Sequence, residues 1–479
     1  MNYGVITHTL GWVLNIEAIS MLLPTLCAIF YGDTDSVKVF LLCALITLAA
    51  GLALMIKRPK SKTMYSKEGF ATVALSWIFI SIFGALPFII SGYIPNYIDA
   101  VFETDSGFTT TGASILTDVE VLPKALLFWR SFTHWIGGMG VLVFLVAILP
   151  LSGGGNLYLV KAESPGPSVS KLVPKIKSTA KILYLLYIAF TVLEIILLLL
   201  GGMSMFEALT LSFGTAGTGG FGIVNSSIGD YSPYIQNVIT VFMILFGIDF
   251  SVYYLIVSRR FKDAFKSDEY KVYLGIIAVS IVLITINCYS QFADLGTTLR
   301  HAAFQVASVV TTTGYSTTDF NIWPSLSKTV LVTLMFIGAC AGSTGGGFKV
   351  SRIIILFKSI KREIRLAVHP RSTHKITMNG RSVETQTVQA VNAYLAVYCA
   401  IFALSLLIVS INGYDYTTNF TAVLATLNNI GPGLELVGPT SNFAFFSPIS
   451  KLVLILDMLI GRLEIFPMLI LFSSYARRK

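Results

Sequence analysis

The chain has 479 residues, of which 54% are hydrophobic and 12% charged, and its formal net charge is +9. An ordinary globular domain is about a quarter charged, so a string of soluble domains is excluded, and the long apolar runs read as membrane spans. The basic residues concentrate in Lys57–Glu68, Pro150–Ser178, Arg259–Lys271, Lys349–Arg381 and Arg477–Lys479; positive loops stay cytoplasmic, so topology rather than nucleic acid explains the charge.

The first expected element is an apolar hairpin, roughly Thr7–Phe30 and Val37–Ile56. Glu17 and Pro24 interrupt its first run, and Tyr31–Ser36 lead straight into the second. A retained hairpin fits this better than a cleaved leader. Four similar units follow. Each has an apolar span, a shorter amphipathic stretch, a glycine-rich turn and a second apolar span with basic residues at its end. The first spans are Phe70–Gly92, Thr179–Leu200, Val272–Cys288 and Val388–Ile411; the second are Lys124–Leu149, Pro233–Ser258, Ser325–Ser359 and Ser447–Tyr475. The expected boundaries are 1–68 for the hairpin and 69–177, 178–271, 272–386 and 387–479 for the units.

Between the two spans of each unit lie Tyr93–Pro123, Gly202–Ser232, Gln291–Lys328 and Gly413–Ser450, whose only Lys and Arg are Arg300 and Lys328. These stretches are expected outside, so each must dip into the membrane and return. Irregular backbone survives at that depth only where protein or water covers it. A short re-entrant helix followed by a glycine turn, four times over, is a pore-loop arrangement. Ser204 and Glu207 form a capping box for the second short helix, and Asp99, Asp294 and Asp415 are expected to cap the others.

Units one and three align directly. Phe102, Ser106 and Thr109-Thr110-Thr111-Gly112 match Phe304, Ser308 and Thr311-Thr312-Thr313-Gly314 in spacing. Unit two ends in Ala216-Gly217-Thr218-Gly219-Gly220, and unit four in Asn428-Asn429-Ile430-Gly431-Pro432-Gly433, with less secure registers. A dehydrated monovalent cation needs several oxygens of modest field strength, which stacked carbonyls supply. Glycine tolerates the conformations that turn consecutive carbonyls to one side. The short helices would aim their C-terminal, partially negative ends at the same place.

Within unit three, Ser325–Ser359 is longer than one span needs, and Gly338–Gly347 is a poor helix. We read it as a broken helix whose internal loop lies beneath the turns, the competing reading being a kink packed against neighbours. In unit four, Arg462 lies well inside an apolar run, a costly place for charge. Its open roles are holding the loop through carbonyl hydrogen bonds, acting as an electrostatic barrier, or pairing with Glu464 or Asp457.

Other motifs carry little. Gly217–Gly222 fits GxGxxG and Gly342–Lys349 resembles a phosphate-binding loop, but neither has the strand context those motifs need. Cys27, Cys43, Cys288, Cys340 and Cys399 have unrelated spacings and read as small buried hydrophobes. The five histidines lack metal-ligand spacing, and no nucleophile or metal constellation of an enzyme is apparent.

Thr109–Gly112, Phe128–Gly140, Val310–Tyr315, Ala341–Lys349, Asn428–Gly433 and Gly461–Glu464 together resemble the Trk type of bacterial potassium uptake subunit, in the Trk/Ktr/HKT superfamily, over essentially the whole chain. The resemblance implies an all-α integral membrane protein. An N-terminal helix hairpin and four pseudo-repeated units, each a span, a pore helix and a span, would surround one central ion pore. It implies filter glycines Gly112, Gly220, Gly314 and Gly433, and potassium binding by Thr110, Thr111, Gly112, Thr218, Gly219, Gly220, Thr312, Thr313, Gly314, Gly431, Pro432 and Gly433. It also implies a gate of Gly342, Ser343, Thr344, Gly345, Gly346 and Gly347 with Arg462. Expected too are a homodimer and a cytosolic Trk-A type regulator ring that carries the nucleotide, ATP/ADP or NAD. Membrane lipid is the remaining partner; no cofactor is expected in this chain and no nucleic acid. The location implied is the inner membrane, with both termini cytoplasmic. Serine at the first filter position goes with sodium preference in this superfamily; glycine here favours potassium. Glu435 and Pro467 depart from the pattern. The alternative is a cation-coupled secondary transporter using Glu17, Glu194, Asp249, Asp457 or Glu464, although the repeats are parallel rather than inverted.

Overall fold

The computed structural model describes residues 1–56, 65–148, 176–372 and 375–472. Most of Lys57–Glu68, nearly all of Pro150–Ser178, His374 and Arg477–Lys479 lie outside the described residues. Among the described residues, six stretches are long and apolar enough to cross a membrane as continuous spans.

Tyr3–Ser20 runs on through Leu22–Phe30, and Thr34–Met55 returns beside it. Asp33 ends the connection, its carboxylate accepting the Ser36 N–H at 3.0 Å. The two limbs cross at glycines. A Cβ on Gly51 would lie 2.9 Å from the Gly11 carbonyl oxygen, the close approach that small residues permit between membrane helices.

The four units have the expected order. Their first helices are Ser66–Gly84 continued by Leu86–Ile90, Ile176–Leu200, Asp268–Cys288 and Thr385–Val409. The short helices are Tyr97–Phe108, Met205–Gly217, Leu295–Val310 and Tyr416–Leu427, of 12 to 16 residues. At about 1.5 Å per residue they reach roughly 18–24 Å, too little to cross a core of about 30 Å. Ser204 and Glu207 form the expected capping box, and Asp294 and Asp415 cap as expected. Unit one differs: Asn96 is the cap, accepting from the Ile98 N–H at 2.9 Å. Asp99, one turn further in, instead accepts from Lys451 Nζ at 2.7 Å.

Among the described residues, only unit one has a second helix without a break, Lys124–Ile148. Unit three breaks as expected, between Ser325–Ile337 and Val350–Val368. Units two and four break as well, which the hydropathy pattern did not indicate. Pro233–Phe246 and Phe250–Val257 meet at 90°. Pro448–Arg462 gives way to Phe466–Phe472 through Glu464 and Ile465, both at positive φ. Pro467 falls in the first turn of that last helix, where its missing N–H costs nothing.

The aligned Phe102 and Phe304 are both fully buried, as are Ser106 and Ser308. Among the cysteines, Cys43, Cys288 and Cys340 are buried as expected, but Cys27 is only half-buried and Cys399 is exposed. A two-stranded hairpin, Thr377–Met378 with Arg381–Ser382, follows the last helix of unit three. Asn379 and Gly380 make its turn at φ +54° and +74°, the left-handed pair that favours a tight hairpin.

Candidate ion pathway

All four short helices end in the same way. The N–H groups of Thr110, Thr218, Thr312 and Asn429 donate three residues back, to Gly107, Thr215, Val309 and Thr426, at 3.0–3.1 Å. The following N–H groups, of Thr111, Gly219, Thr313 and Ile430, donate five residues back, to Ser106, Gly214, Ser308 and Ala425, at 2.8–2.9 Å. Each is a Schellman ending. Its left-handed residue is Thr110 (φ +56°), Thr218 (+56°), Thr312 (+60°) or Asn429 (+55°).

Two residues on, Gly112, Gly220, Gly314 and Gly431 have φ of +78°, +75°, +88° and +97°. This alternation of backbone hand lets consecutive carbonyls turn to one side. The four glycines also form a closed ring. A Cβ on Gly112 would strike the Gly219 carbonyl oxygen, one on Gly220 that of Thr313, and one on Gly314 that of Ile430. A Cβ on Gly431 would sit 2.7 Å from that of Thr111, which returns the circuit to unit one. All four line one cavity of about 140 Å³, together with Ala113, Phe221 and Pro432.

The fourth register therefore differs from the expectation. Gly431, not Gly433, is equivalent to the other ring glycines. Gly433 has no positive φ, donates its N–H to the Val437 carbonyl at 2.7 Å, and does not line the cavity. Pro432 stays at the cavity wall, and Asn429 and Ile430 take the places of the threonines. Glu435 does not line the cavity either; its N–H donates to Asn321 Oδ1 at 2.9 Å.

Behind the ring sits a buried brace that the motif reading missed. Arg130 Nε donates to Glu103 Oε1 at 2.8 Å, and its Nη1 donates to the Gly222 carbonyl at 3.1 Å. Its guanidinium carbon lies 4.0 Å from the Phe221 ring centroid. Glu103 Oε2 accepts the Ile115 N–H at 2.9 Å. One ion pair thus joins the segments that follow the turns of units one and two. His134 repeats the linkage lower down: its Nδ1 lies 2.8 Å from the Gly107 carbonyl, and its Nε2 accepts the Phe221 N–H at 3.2 Å. These partners assign a neutral ring with the proton on Nδ1. At the rim, Asn225 Nδ2 donates to Asp118 Oδ1 at 2.8 Å. That bond, and another from the Glu120 N–H, hold the Asp118 carboxyl below the usual aspartate range.

The interrupted helix of unit three lies under the ring. The Gly346 N–H donates to Thr312 Oγ1 at 2.6 Å, and the Gly347 N–H to the Asn428 carbonyl at 3.0 Å. Gly345 is close enough that a Cβ would stand 2.8 Å from the Thr311 carbonyl oxygen. The bend in unit two is stitched to the same loop: the Cys340 N–H donates to the Gly247 carbonyl and the Phe250 N–H to the Gly342 carbonyl, both at 3.1 Å. Arg462 Nη1 donates to the Thr344 carbonyl at 2.9 Å and Nη2 to the Gly137 carbonyl at 2.6 Å. Of the roles left open for Arg462, the geometry matches carbonyl binding. Glu464 pairs with Arg352 instead, and Asp457 accepts from Ser405 Oγ at 2.7 Å. Lys349 Nζ reaches back to the Gly345 carbonyl. Among the described residues, no group of three or more His, Cys, Asp and Glu is placed to hold a metal ion.

This geometry has close counterparts. A family model described as a cation transport protein, TrkH, matches residues 36–282 and 274–477. Trk system potassium uptake protein TrkH of Salmonella typhimurium is 38% identical over 481 residues, covering 99% of each chain. The protein of the same name from Halomonas elongata is 35% identical over 486 residues, covering 100% of each. The crystal structure of the potassium transporter TrkH from Vibrio parahaemolyticus superposes with a TM-score of 0.89 at 34% identity, over 100% of both chains. Family model, relatives and fold agree, and they describe a multi-pass membrane transporter rather than an enzyme: the chain belongs to the TrkH family of cation transport proteins.

Proposed function

We propose that this chain admits potassium to the cell across the inner membrane through the ring of Gly112, Gly220, Gly314 and Gly431. The carrying observation is that four equivalent turns, each ending a re-entrant helix, close on one another around one cavity. Backbone carbonyls of Thr111, Gly219, Thr313 and Ile430 lie at the ring, and the layer below is Thr110, Thr218, Thr312 and Asn429. Such carbonyl and hydroxyl oxygens replace the hydration shell of an ion. Glycine in all four ring positions favours potassium over sodium. None of the described residues lining the cavity is a carboxylate, which suits conduction better than coupled transport.

The loop Gly338–Gly347 is the gate in this reading, with Gly345–Gly347 lying against the layer below the ring and Arg462 fastening the loop at Thr344. Control comes from a cytosolic Trk-A type ring that binds ATP/ADP or NAD, and the chain works as a homodimer. The relatives' assignment to a Trk system supports the partnership, as do the basic stretches at Arg259–Lys271 and Lys349–Arg381. Rubidium-86 uptake into liposomes holding the purified protein tests the filter, with competing potassium or sodium outside. Potassium should compete far better than sodium; equal competition would overturn the ring as a selective filter. Absence of uptake that persists after adding the cytosolic ring would overturn the pore itself.

A further inference from the structure

We infer that Glu269 is a positioning residue that clips both ends of the gate loop, and that its neighbour Asp268 ties this clip to the hairpin at 377–382. The inference rests on the gate reading above.

Glu269 begins the first helix of unit three and is buried. Its Oε1 accepts two main-chain N–H groups: Ala341 at 2.7 Å and Ser351 at 3.0 Å. Ala341 immediately precedes the gate residues Gly342–Gly347, and Ser351, just beyond them, is the second residue of Val350–Val368. The first N–H groups of a helix have no partner within it. Lys349, which precedes this helix, makes no side-chain cap. A carboxylate from another helix therefore does the capping, where the helix dipole favours negative charge. One oxygen thus fixes the separation of the loop's two ends. Arg462 holds the middle of the loop, at Thr344, from a different unit.

Asp268 faces the other way. Its Oδ2 accepts from Lys358 Nζ at 3.0 Å and from the Asn379 N–H at 3.2 Å, while its own N–H donates to Asn379 Oδ1 at 2.7 Å. Lys358 Nζ also donates to the Thr377 carbonyl at 2.7 Å. The turn of the hairpin, the helix that follows the loop and the helix that carries Glu269 therefore meet at one carboxylate. A load on the hairpin reaches the loop ends through adjacent residues of one helix turn. Neither the Gly-rich motif nor Arg462 predicts this connection.

The experiment compares basal rubidium-86 flux of Glu269→Ala, Glu269→Gln, Asp268→Ala and Arg462→Ala in liposomes without a partner. Hydrogen exchange of the 338–351 segment is measured on the same proteins. Glu269→Ala should raise flux at least about tenfold, the population change of ~1.4 kcal/mol, and speed exchange of that segment. Glu269→Gln, whose amide oxygen accepts both N–H groups, should stay within about threefold of the parent. Asp268→Ala, at a half-exposed position, should speed exchange at 338–351 while leaving 416–431 unchanged. Raised flux in Arg462→Ala with parental flux and exchange in Glu269→Ala overturns the clip and leaves the gate standing. Parental exchange in Asp268→Ala overturns the tie to the hairpin. Parental flux in both Glu269→Ala and Arg462→Ala removes the gate reading, and the inference with it.

Discussion

The register of unit four can be decided by substituting its two glycines separately. Gly431 has φ +97°, well beyond the left-handed region that asparagine or threonine tolerates, and a Cβ there would stand 2.7 Å from the Thr111 carbonyl oxygen and 3.0 Å from the Gly112 carbonyl carbon. A side chain at such a backbone position costs about 1–3 kcal/mol. Both penalties are relieved only by moving ring carbonyls, the atoms proposed to discriminate between ions. At about 1.4 kcal/mol per factor of ten, Gly431→Ser should reduce potassium-over-sodium discrimination by about tenfold or more. Gly112→Ser, at the equivalent place in unit one, should do the same. Gly433 has an ordinary φ. Its Cβ would meet Thr421 Oγ1 at 2.7 Å and Val437 Cγ2 at 2.9 Å, side chains outside the ring. Overpacking of that kind costs about 1–3 kcal/mol of stability, so Gly433→Ala should lower the melting temperature and leave the ion preference intact. Competition of rubidium-86 uptake by potassium and by sodium gives the ratio for each variant. An altered ratio in Gly433→Ala with a parental ratio in Gly431→Ser would refute the register argued here.

Arg462→Ala removes two charge-assisted hydrogen bonds to main-chain carbonyls, each worth about 1.5–3 kcal/mol, and should raise basal flux; unchanged flux in a folded variant would count against Arg462 as the fastening. Arg130→Met leaves Glu103 buried without its partner, a loss of about 3–5 kcal/mol, so thermal unfolding in detergent should shift to markedly lower temperature, more than for Arg462→Ala. The Asp118 carboxyl sits below its ordinary value of 3.8 because Asn225 donates to its charged form. A depressed folded value means that the bond stabilises above the unfolded value and is lost as pH falls through the folded one. The stability difference between Asn225→Leu and the parent should therefore persist at pH 7 and shrink below about pH 4; a difference that grows on acidification would contradict the assignment.

How much of this could be read beforehand follows from where the determinants sit. Local signals held: the Ser204–Glu207 box, the paired Thr-Thr-Thr-Gly turns and the glycine run at Gly338–Gly347 each specify backbone over a few residues. Asn428–Gly433 failed because two glycines stand two residues apart, and spacing alone does not say which takes positive φ. Asn429 was the usable signal, since asparagine is the side chain that most readily follows a helix in the left-handed conformation. The bend at Gly247–Asp249 hid inside an apolar run that passes every test for a span. Its trace was a glycine followed two residues later by a helix-capping aspartate. Arg130, like Arg462, is a charge inside an apolar segment, and that is its signal in the sequence. Its partner Glu103 lies in another helix, and no local pattern joins them.

The threonines at the left-handed positions carry a further implication. A Schellman ending normally places glycine or asparagine there, and unit four does so with Asn429. Units one, two and three place threonine there, a β-branched residue for which this backbone conformation is strained by about 1–3 kcal/mol. Strain repeated at three equivalent sites is retained for something that glycine lacks, and the candidate is the hydroxyl. Among the described residues Thr110 Oγ1 is buried without a hydrogen-bond partner, whereas Thr312 Oγ1 accepts the Gly346 N–H of the loop. The equivalent hydroxyls differ in their partners: Thr312 is bonded to the loop, while Thr218 Oγ1 donates to the Gly217 carbonyl at 2.6 Å. Loop and turns therefore meet at this oxygen as well as at the Asn428 carbonyl, which accepts the Gly347 N–H. In the reading proposed above, moving the loop would release the Thr312 hydroxyl from the Gly346 N–H, which ties the loop's position to the layer below the ring.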